Sequence, residues 1–190
     1  MKRFSLEQLA YDEKGVEFQT GDSFLLSYRE FIAYFANLKE ITQHNLIISA
    51  YFTFGWMPTK LVFKTQDFPS AVDILNKAKQ GRLIEEKELQ ALVDMFCNSL
   101  VGTSKLLHFT NPYHYAILDK RVYKYINGGN DNGQLNEPKN YLAFLKNCKE
   151  ITLDERFGQI HASMNRKIGY DVTPYRALEL VMFMNGCKPY

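Results

Sequence analysis

Apolar residues recur at helical spacing along most of the chain, which predicts a protein built mainly from helices. Ser27 and Glu30 have the spacing of a capping box and predict a helix start. The apolar positions behind them form one stripe: Phe31, Tyr34, Phe35 and Leu38. A second helix is predicted over residues 42–54, where LIISAYFTF is apolar on most sides, as expected for a helix that runs through the middle of a fold.

The same pattern predicts further helices towards the C-terminus. Ser70 and Asp73 begin one, and an amphipathic helix follows the acidic EEKE stretch. The apolar face of that amphipathic helix carries Leu89, Leu92, Val93, Phe96 and Leu100. A later short helix ends at NGGNDNG, which has the composition of a flexible loop. Three more helical patterns complete the chain, with Gly169 and Gly186 at positions expected for helix C-caps.

The N-terminal residues carry a different pattern. The turn signals DEKG and QTGD flank VEF and predict a short hairpin or an extended arm, so we expect a small N-terminal β element. The rest is a mainly α fold of about eight or nine helices. A chain of 190 residues is long enough for one well-filled core. We therefore expect a single helical domain over residues 1–190, or two lobes with a cleft between them divided at NGGNDNG.

Composition and charge narrow the class of protein. Hydrophobic residues make up 46% of the chain and aromatic residues 14%, which is enough apolar surface to fold alone and argues against disorder. The net charge of +2 neither requires nor excludes a nucleic-acid partner, so that question depends on where the basic residues lie.

The cysteines and the N-terminus predict a cytoplasmic protein. Cys97, Cys148 and Cys187 are far apart, odd in number and not at metal-ligand spacing, which indicates reduced thiols and no metal site. The N-terminus turns polar within a few residues, and no apolar run approaches the length of a membrane span. We therefore expect a soluble protein without a membrane partner.

The stretch SKLLHFTNPYHYAILDKRV, residues 104–122, contains the candidate chemistry. Lys105 and Asp119 lie 14 positions apart on either side of a proline turn, a separation that lets both side chains reach one cleft. Asp119 precedes a helix, where backbone N–H groups keep a carboxylate ionised. A lysine beside such a carboxylate and walled by Leu, Phe and Tyr has a lowered pKa, as a nucleophilic amine requires.

The longer stretch LVGTSKLLHFTNPYHYAILDKRVYKYI resembles the active-site segment of the helix-hairpin-helix base-excision DNA glycosylases, most closely their 8-oxoguanine DNA glycosylase branch. On that pattern residues 101–103 match a glycine turn, Lys105 matches a Schiff-base lysine, and residues 117–119 match the segment with an essential aspartate. The chain departs from the family in keeping only Gly102 of two hairpin glycines, in the extra Ser104, and in a shorter interval between lysine and aspartate. The resemblance implies a compact glycosylase-like helical fold with a degenerate hairpin.

The resemblance also implies a function. It is that of a DNA glycosylase, with lyase activity at the resulting abasic site, that excises a damaged or modified purine from double-stranded DNA as a monomer without a cofactor or metal. Lys105 and Asp119 are then catalytic. The residues expected to contact the flipped nucleotide are Trp56, His108, Phe109, Tyr113 and Arg121. The residues expected at the DNA backbone are Gly102, Thr103, Lys120 and Lys124.

Simpler interpretations of the same residues remain open. Lys105 can be a solvated surface lysine, and Asp119 a plain helix N-cap. His108 and His114 suit structural hydrogen bonds better than a metal site, and Trp56 suits a buried anchor of its helix end. The cluster at residues 120–124 can be a solvated helix face.

Two further alternatives concern the last helix and the function. Arg176 and Glu179 are three residues apart on a predicted helix, which indicates an intrahelical ion pair. The alternative function is a protein on the same fold that binds nucleic acid or a nucleotide without chemistry, such as a phage or defence-related factor. A third hypothesis is an interaction protein with a vestigial cleft.

Overall fold

The prediction of a mainly helical fold is confirmed by a computed structural model, which describes residues 1–19, 21–57, 59–129 and 134–186. Within these ranges there are ten α-helices and one short 3₁₀ turn, Gln134–Asn136. The α-helices are α1 (Leu6–Glu13), α2 (Ser23–Ala36), α3 (Gln43–Trp56), α4 (Phe68–Lys79), α5 (Glu86–Met95), α6 (Leu100–Thr110), α7 (Lys120–Asn127), α8 (Pro138–Thr152), α9 (Phe157–Ile168) and α10 (Pro174–Asn185). These ranges contain no strand, and the only β-type pairing in them is an isolated bridge between Phe63 and Phe96.

The prediction of a small N-terminal β element is wrong for the described residues, because the chain begins with helix α1. Ser5 caps this helix by accepting a hydrogen bond from the Gln8 amide at 3.2 Å. Leu6 and Leu9 are buried in the core, so LEQLAYDE is an amphipathic helix. The DEKG signal marks the end of α1 and not the tip of a hairpin, and residue 20 of QTGD lies outside the described residues.

Several helix boundaries differ from the predicted ones. Helix α2 begins at Ser23, so Ser27 lies inside it and donates to the carbonyl of Ser23 at 2.7 Å instead of capping. Helix α3 is capped by Thr42, in a capping box with Asn45, and this start is confirmed. The predicted helix over Leu89–Leu100 is interrupted after α5, because Cys97 and Asn98 have left-handed φ angles of 59° and 53° that end a right-handed helix.

The glycines near helix ends behave in different ways. Gly169 is the left-handed C-cap of α9 with a φ of 85°, as predicted. Gly128 is the left-handed C-cap of α7, with a φ of 75°. Residues 130–133 of the predicted NGGNDNG loop lie outside the described residues. Gly186 ends α10 in a right-handed conformation. Its missing side chain lets the backbone of α10 approach the carbonyl of Arg121 in α7.

The packing of two helices prepares the site. Helix α10 is the inner helix of the C-terminal half: residues 175–182 are all buried, and the helix packs against α1, α7, α8 and α9. Helix α6 has the same role towards α2, α3, α4 and α5. The buried apolar residues form one continuous cluster that includes both helices. Polar side chains on α6 and α10 are therefore held in fixed positions by the core around them.

Cys97 and Cys148 are free thiols, and Cys187 lies outside the described residues. None of the helices in the described ranges has the length and apolar character needed to cross a bilayer.

Candidate active site

Lys105 and Asp119 line one cavity, as the spacing of the two residues predicts. The cavity has a volume of 240 Å³ and lies where α6, α7 and α10 meet the ends of α2 and α3. The lining residues are Phe24, Trp56, Lys105, Ile117, Asp119, Arg121, Arg176, Glu179 and Phe183. Arg121 is exposed, so the cavity reaches the surface beside the first turn of α7. Two basic side chains, Lys105 and Arg176, thus share a small, largely aromatic space with two acidic ones, Asp119 and Glu179. Arg121 lies at the mouth of the cavity.

Asp119 is the N-cap of α7. Its Oδ1 accepts hydrogen bonds from the amides of Arg121 at 2.9 Å and Val122 at 3.0 Å. The second oxygen, Oδ2, has no hydrogen-bond donor in the part of the chain that the structure describes. The predicted cap is therefore confirmed, and it fixes the carboxylate with one oxygen free to act in the cavity.

Lys105 is carried by the second turn of α6, and its aliphatic chain is mostly buried. Its Nζ lies 5.0 Å from the centre of the Trp56 ring, a cation–π distance. Among the described residues, Nζ has no hydrogen-bond acceptor and no carboxylate within ion-pair distance. Burial lowers the pKa of Lys105, and the negative charges of Asp119 and Glu179 oppose this shift only in part. The amine is therefore easier to deprotonate than an ordinary lysine.

Arg176 and Glu179 form the intrahelical ion pair that the sequence predicts, and the pair is buried at the cavity. Their exposed fractions are only 2% and 1%, and the Arg176 Nη1 meets the Glu179 Oε2 at the wall of the cavity. The guanidinium also stacks on two rings, with its Cζ 4.6 Å from the centre of Tyr28 and 5.7 Å from that of Trp56. Burial raises the pKa of the Glu179 carboxyl, although the Arg176 charge opposes the shift.

Sequence reasoning missed this pair as part of the site. A signal was present, because RALELVMFM places two opposite charges inside an otherwise apolar helix, where charged groups are buried only when they are paired. The aromatic residues Phe24 and Phe183 at the cavity were also missed. They are half-buried and in mutual contact, with ring centres 6.0 Å apart.

Of the residues predicted to contact a nucleotide, Trp56 and Arg121 line the cavity and three others do not. His108 is fully buried, with Nδ1 2.7 Å from the Tyr115 carbonyl and Nε2 2.9 Å from the Tyr28 hydroxyl. Burial lowers the pKa of His108 to about 3, so the ring is neutral. Because a carbonyl only accepts, Nδ1 donates to it and Nε2 accepts from Tyr28. This bridge is structural, and it removes His108 from contact with a ligand.

Phe109 and Tyr113 also lie away from the cavity lining, for opposite reasons. Phe109 is buried in an aromatic cluster, with its ring centre 5.2 Å from that of Trp56 and 5.3 Å from that of Phe31. Tyr113 is 69% exposed on the proline turn. Neither side chain is placed to stack on a base inside the cavity.

The predicted glycine turn at residues 101–103 is wrong, because these residues are the first turn of α6. The amide of Gly102 donates to the Ser99 hydroxyl at 3.1 Å, and that of Thr103 donates to the Ser99 carbonyl at 3.0 Å. Both residues are buried. Their amides are therefore not available to hold a DNA phosphate, and the tight turn between α5 and α6 lies at residues 96–99 instead.

The basic residues predicted at the DNA backbone lie on α7, the helix that Asp119 caps, and they do not line the cavity. Lys120 is exposed and Lys124 is half-buried. Arg121 lies between them, with its guanidinium carbon 4.5 Å from the centre of the Phe183 ring. Helix α7 thus carries three cations within five residues, of which Arg121 lines the cavity.

The cavity offers acid–base and nucleophilic groups but no metal ligand set. In the described residues, no three His, Cys, Asp or Glu side chains lie close enough together to hold a metal ion. Comparison with protein-family models, with curated proteins and with solved structures finds no significant match to this chain. The case for a function therefore rests on the residues of the cavity.

Proposed function

We propose that this chain is a DNA glycosylase that also acts as a lyase at the abasic site, with Lys105 as the nucleophile and Asp119 as the assisting carboxylate. The observation that carries the proposal is the pairing of these two groups in one cavity: an amine whose pKa is lowered by burial, and a carboxylate fixed by a helix N-terminus. This combination is what an amine nucleophile needs near neutral pH.

The size of the cavity supports a single base as the group that enters it. At 240 Å³ it is smaller than the roughly 300–1,000 Å³ typical of sites for drug-sized ligands. A nucleotide inside a duplex cannot present its sugar carbon to an enzyme, so the nucleotide would be flipped out of the stack. The base would then occupy the aromatic space between Phe24, Ile117 and Phe183.

The reaction follows from the charges at the site. The Lys105 amine attacks C1′ of the sugar while the bond from C1′ to the base breaks, and the electron pair of that bond leaves with the base. The Asp119 carboxylate stabilises the positive charge on the sugar and takes the proton that the attacking nitrogen loses. Ring opening breaks the bond from C1′ to O4′: O4′ takes a proton from water, and the nitrogen electron pair completes a protonated imine between Lys105 and C1′. Elimination then removes a proton from C2′ to water, and the 3′ phosphate leaves with the electron pair of its bond to C3′, which cleaves the strand on the 3′ side.

Binding to DNA would depend on side-chain cations because the amides of Gly102 and Thr103 are engaged within α6. Lys120, Arg121 and Lys124 are the candidates for phosphate contacts. Each phosphate contact contributes about −0.9 to the slope of log K against log salt concentration, so three contacts predict a slope of about −2.7. We propose double-stranded DNA with a modified base as the substrate, and a cytoplasmic monomer as the active form.

The helix-hairpin-helix glycosylase-type fold belongs to the same proposal. Two features support it: a tight turn at residues 96–99 leads into the helix that carries the lysine, and the aspartate caps a later helix beside it. The turn contains no glycine, so the hairpin is degenerate in composition.

The decisive experiment is reductive trapping with borohydride. Wild-type protein is mixed with a duplex containing an abasic site and with a panel of duplexes containing oxidised or alkylated purines. We expect a covalent protein–DNA adduct that Lys105→Ala abolishes and that Lys87→Ala, a change at an exposed lysine on α5, leaves intact. No adduct across the panel would refute the proposal.

One observation favours the alternative of a binding protein without chemistry. The buried Arg176–Glu179 pair makes the cavity a polar recognition site whether or not Lys105 reacts. In that case the protein would retain a duplex or nucleotide in a binding assay, Lys105→Ala would weaken binding only modestly, and no adduct would form.

A further inference from the structure

Glu179 lies in the same cavity as Lys105 and Asp119 but in surroundings unlike those of Asp119. Asp119 sits at the start of α7 and receives two backbone amides. Glu179 projects from the middle of α10, with 1% of its surface exposed, and its Oε2 accepts a hydrogen bond from the Arg176 side chain. Its other oxygen, Oε1, has no hydrogen-bond donor within the described ranges. The cavity thus holds two carboxyl groups, one anchored by backbone amides and one buried beside an arginine side chain.

We propose that Glu179 is a further catalytic residue of this cavity, the acid that donates a proton to the base as its bond to the sugar breaks. This inference rests on the proposed function and adds to it the source of the proton that the departing base needs. A nucleobase leaves poorly as an anion, so an acid next to it lowers the barrier. Asp119 is less suited to this task because a helix N-terminus favours a negatively charged side chain.

The groups that face Glu179 set its state of protonation. Burial raises the pKa of Glu179 and the negative charge of Asp119 adds to the rise, while Arg176 on the same helix and Lys105 on α6 oppose it. An acid catalyst needs a carboxyl group that keeps its proton, and burial favours the protonated form of Glu179. Arg176 occupies Oε2, so the proton resides on Oε1.

The proton balance of the step is complete with groups already present. The Glu179 carboxyl transfers its proton to the base nitrogen, which takes the electron pair of the broken bond to C1′. Asp119 takes the proton released by the Lys105 nitrogen as the new bond forms. Proton exchange through water then returns Asp119 to the carboxylate and Glu179 to the acid. No oxidant, reductant or metal is needed.

Glu179→Gln separates base release from attack on an abasic site, where no base departs. Under single-turnover conditions we expect this variant to release base about 10²- to 10⁴-fold more slowly than wild type, the contribution typical of a general acid. Trapping on a duplex with a preformed abasic site should stay within about twofold of wild type, since that reaction does not need the acid. Glu88→Gln, which alters an ion-paired glutamate on α5 away from the cavity, is the matched control and should change neither rate.

The pH profile gives a second test that requires no variant to fold. Both reactions need the neutral Lys105 amine, but only base release needs a protonated acid. The ratio of the base-release rate to the trapping rate on a preformed abasic site, measured on wild-type protein, should therefore fall as the pH rises through the pKa of Glu179.

Failure of the proposed role of Glu179 and failure of the proposed function give different results in these experiments. A Glu179→Gln variant that releases base at the wild-type rate, or that loses base release and abasic-site trapping together, overturns the role of Glu179 while the proposed function stands. A wild-type ratio of base release to abasic-site trapping that does not fall with pH has the same meaning. A wild-type protein that neither traps nor releases base overturns the proposed function and this inference with it.

Discussion

Ser104 and Leu118 are joined by hydrogen bonds across 14 residues of chain. The Leu118 amide donates to the Ser104 Oγ at 3.2 Å, and that hydroxyl lies 3.2 Å from the Leu118 carbonyl and 3.0 Å from the Val101 carbonyl, one of which takes its proton. The next residues along the chain are Lys105 and Asp119. The residue that looked like an insertion in the family pattern is therefore the link that holds the lysine beside the aspartate.

Ser104→Ala should destabilise the fold and loosen this link. It leaves the buried Leu118 amide without an acceptor, and an unsatisfied buried donor costs about 1–3 kcal/mol. The free energy of unfolding from urea titration measures the loss. The control is Ser49→Ala in α3, because the Ser49 hydroxyl is also buried but donates only to the Leu46 carbonyl of its own helix. A Ser104→Ala variant as stable as Ser49→Ala would contradict the importance of the link.

Gly102 allows α3 and α6 to approach closely. A Cβ at position 102 would lie within 2.7 Å of the Phe54 Cε2 and closer still to its Cζ. Gly102→Ala should therefore cost about 1–3 kcal/mol through overpacking, against the gain of roughly 1 kcal/mol that alanine normally brings to a helix interior. Thermal or urea denaturation measures whether Gly102→Ala lowers or raises the stability of the protein.

The control for Gly102 is another helical glycine. Gly158 in α9 has no atom within 4 Å of where its Cβ would be, so Gly158→Ala should be neutral or stabilising. If both alanine substitutions changed the free energy of unfolding by the same amount, the Phe54 ring would not exclude a side chain at position 102.

Two variants of Asp119 separate its cap from its charge. Asparagine is as good an N-cap as aspartate, so Asp119→Asn should leave the free energy of unfolding within about 0.5 kcal/mol of wild type, while Asp119→Ala should lose about 1 kcal/mol. If the carboxylate acts in the reaction, both variants should lose adduct formation at Lys105. Full adduct formation by Asp119→Asn would reduce Asp119 to a structural cap.

The sequence could predict the Lys105–Asp119 part of the site because local chain geometry builds it. A helix, a proline turn and a capped helix start within 15 residues leave few ways to separate the two side chains. Helix periodicity and capping residues likewise located α3 and the start of α7 to within a few positions. These features depend on neighbours in the chain, and a sequence displays such neighbours directly.

The rest of the site depends on contacts between distant segments. Arg176 and Glu179 reach the cavity from the last helix. The apolar run around them indicates that this helix is buried, but no local pattern shows that it packs beside Lys105 and Asp119. Gly102 resembles a turn residue in the sequence, since nothing adjacent to it reveals the Phe54 ring that occupies its side-chain space. His108 and Phe109 are near Lys105 in the chain, but their depth below the surface is set by α2 and α3 packing over them.

His108 should make the fold sensitive to acid. Its pKa is lowered from 6.5 to about 3, so between these values the unfolded chain takes up a proton that the folded protein excludes. Stability is therefore lost as the pH falls below 6.5, by about 1.4 kcal/mol per pH unit from this residue. Urea titrations give the free energy of unfolding at pH 7 and at pH 5. The loss between these two pH values should be smaller for His108→Gln than for wild type. His114→Gln, at an exposed histidine, should keep the wild-type difference.

Lys105 should limit the stability of the fold at neutral pH. Burial lowers its pKa below the ordinary 10.5, so at lower pH the unfolded chain holds this proton more readily than the folded protein. Stability therefore rises with pH only between the lowered pKa of the folded protein and the 10.5 of the unfolded chain, and the full penalty is present at every pH below that range. Lys105→Met keeps the aliphatic chain and removes the charge, so it should raise the unfolding midpoint at pH 7, with a gain that shrinks as the pH approaches 10.5. Lys87→Met at an exposed position should shift stability by no more than about 0.5 kcal/mol. A Lys105→Met variant that is less stable than wild type at pH 7 would mean that the ammonium group is stabilised in its cavity by Trp56 and the carboxylates, and that the amine is not prepared for attack.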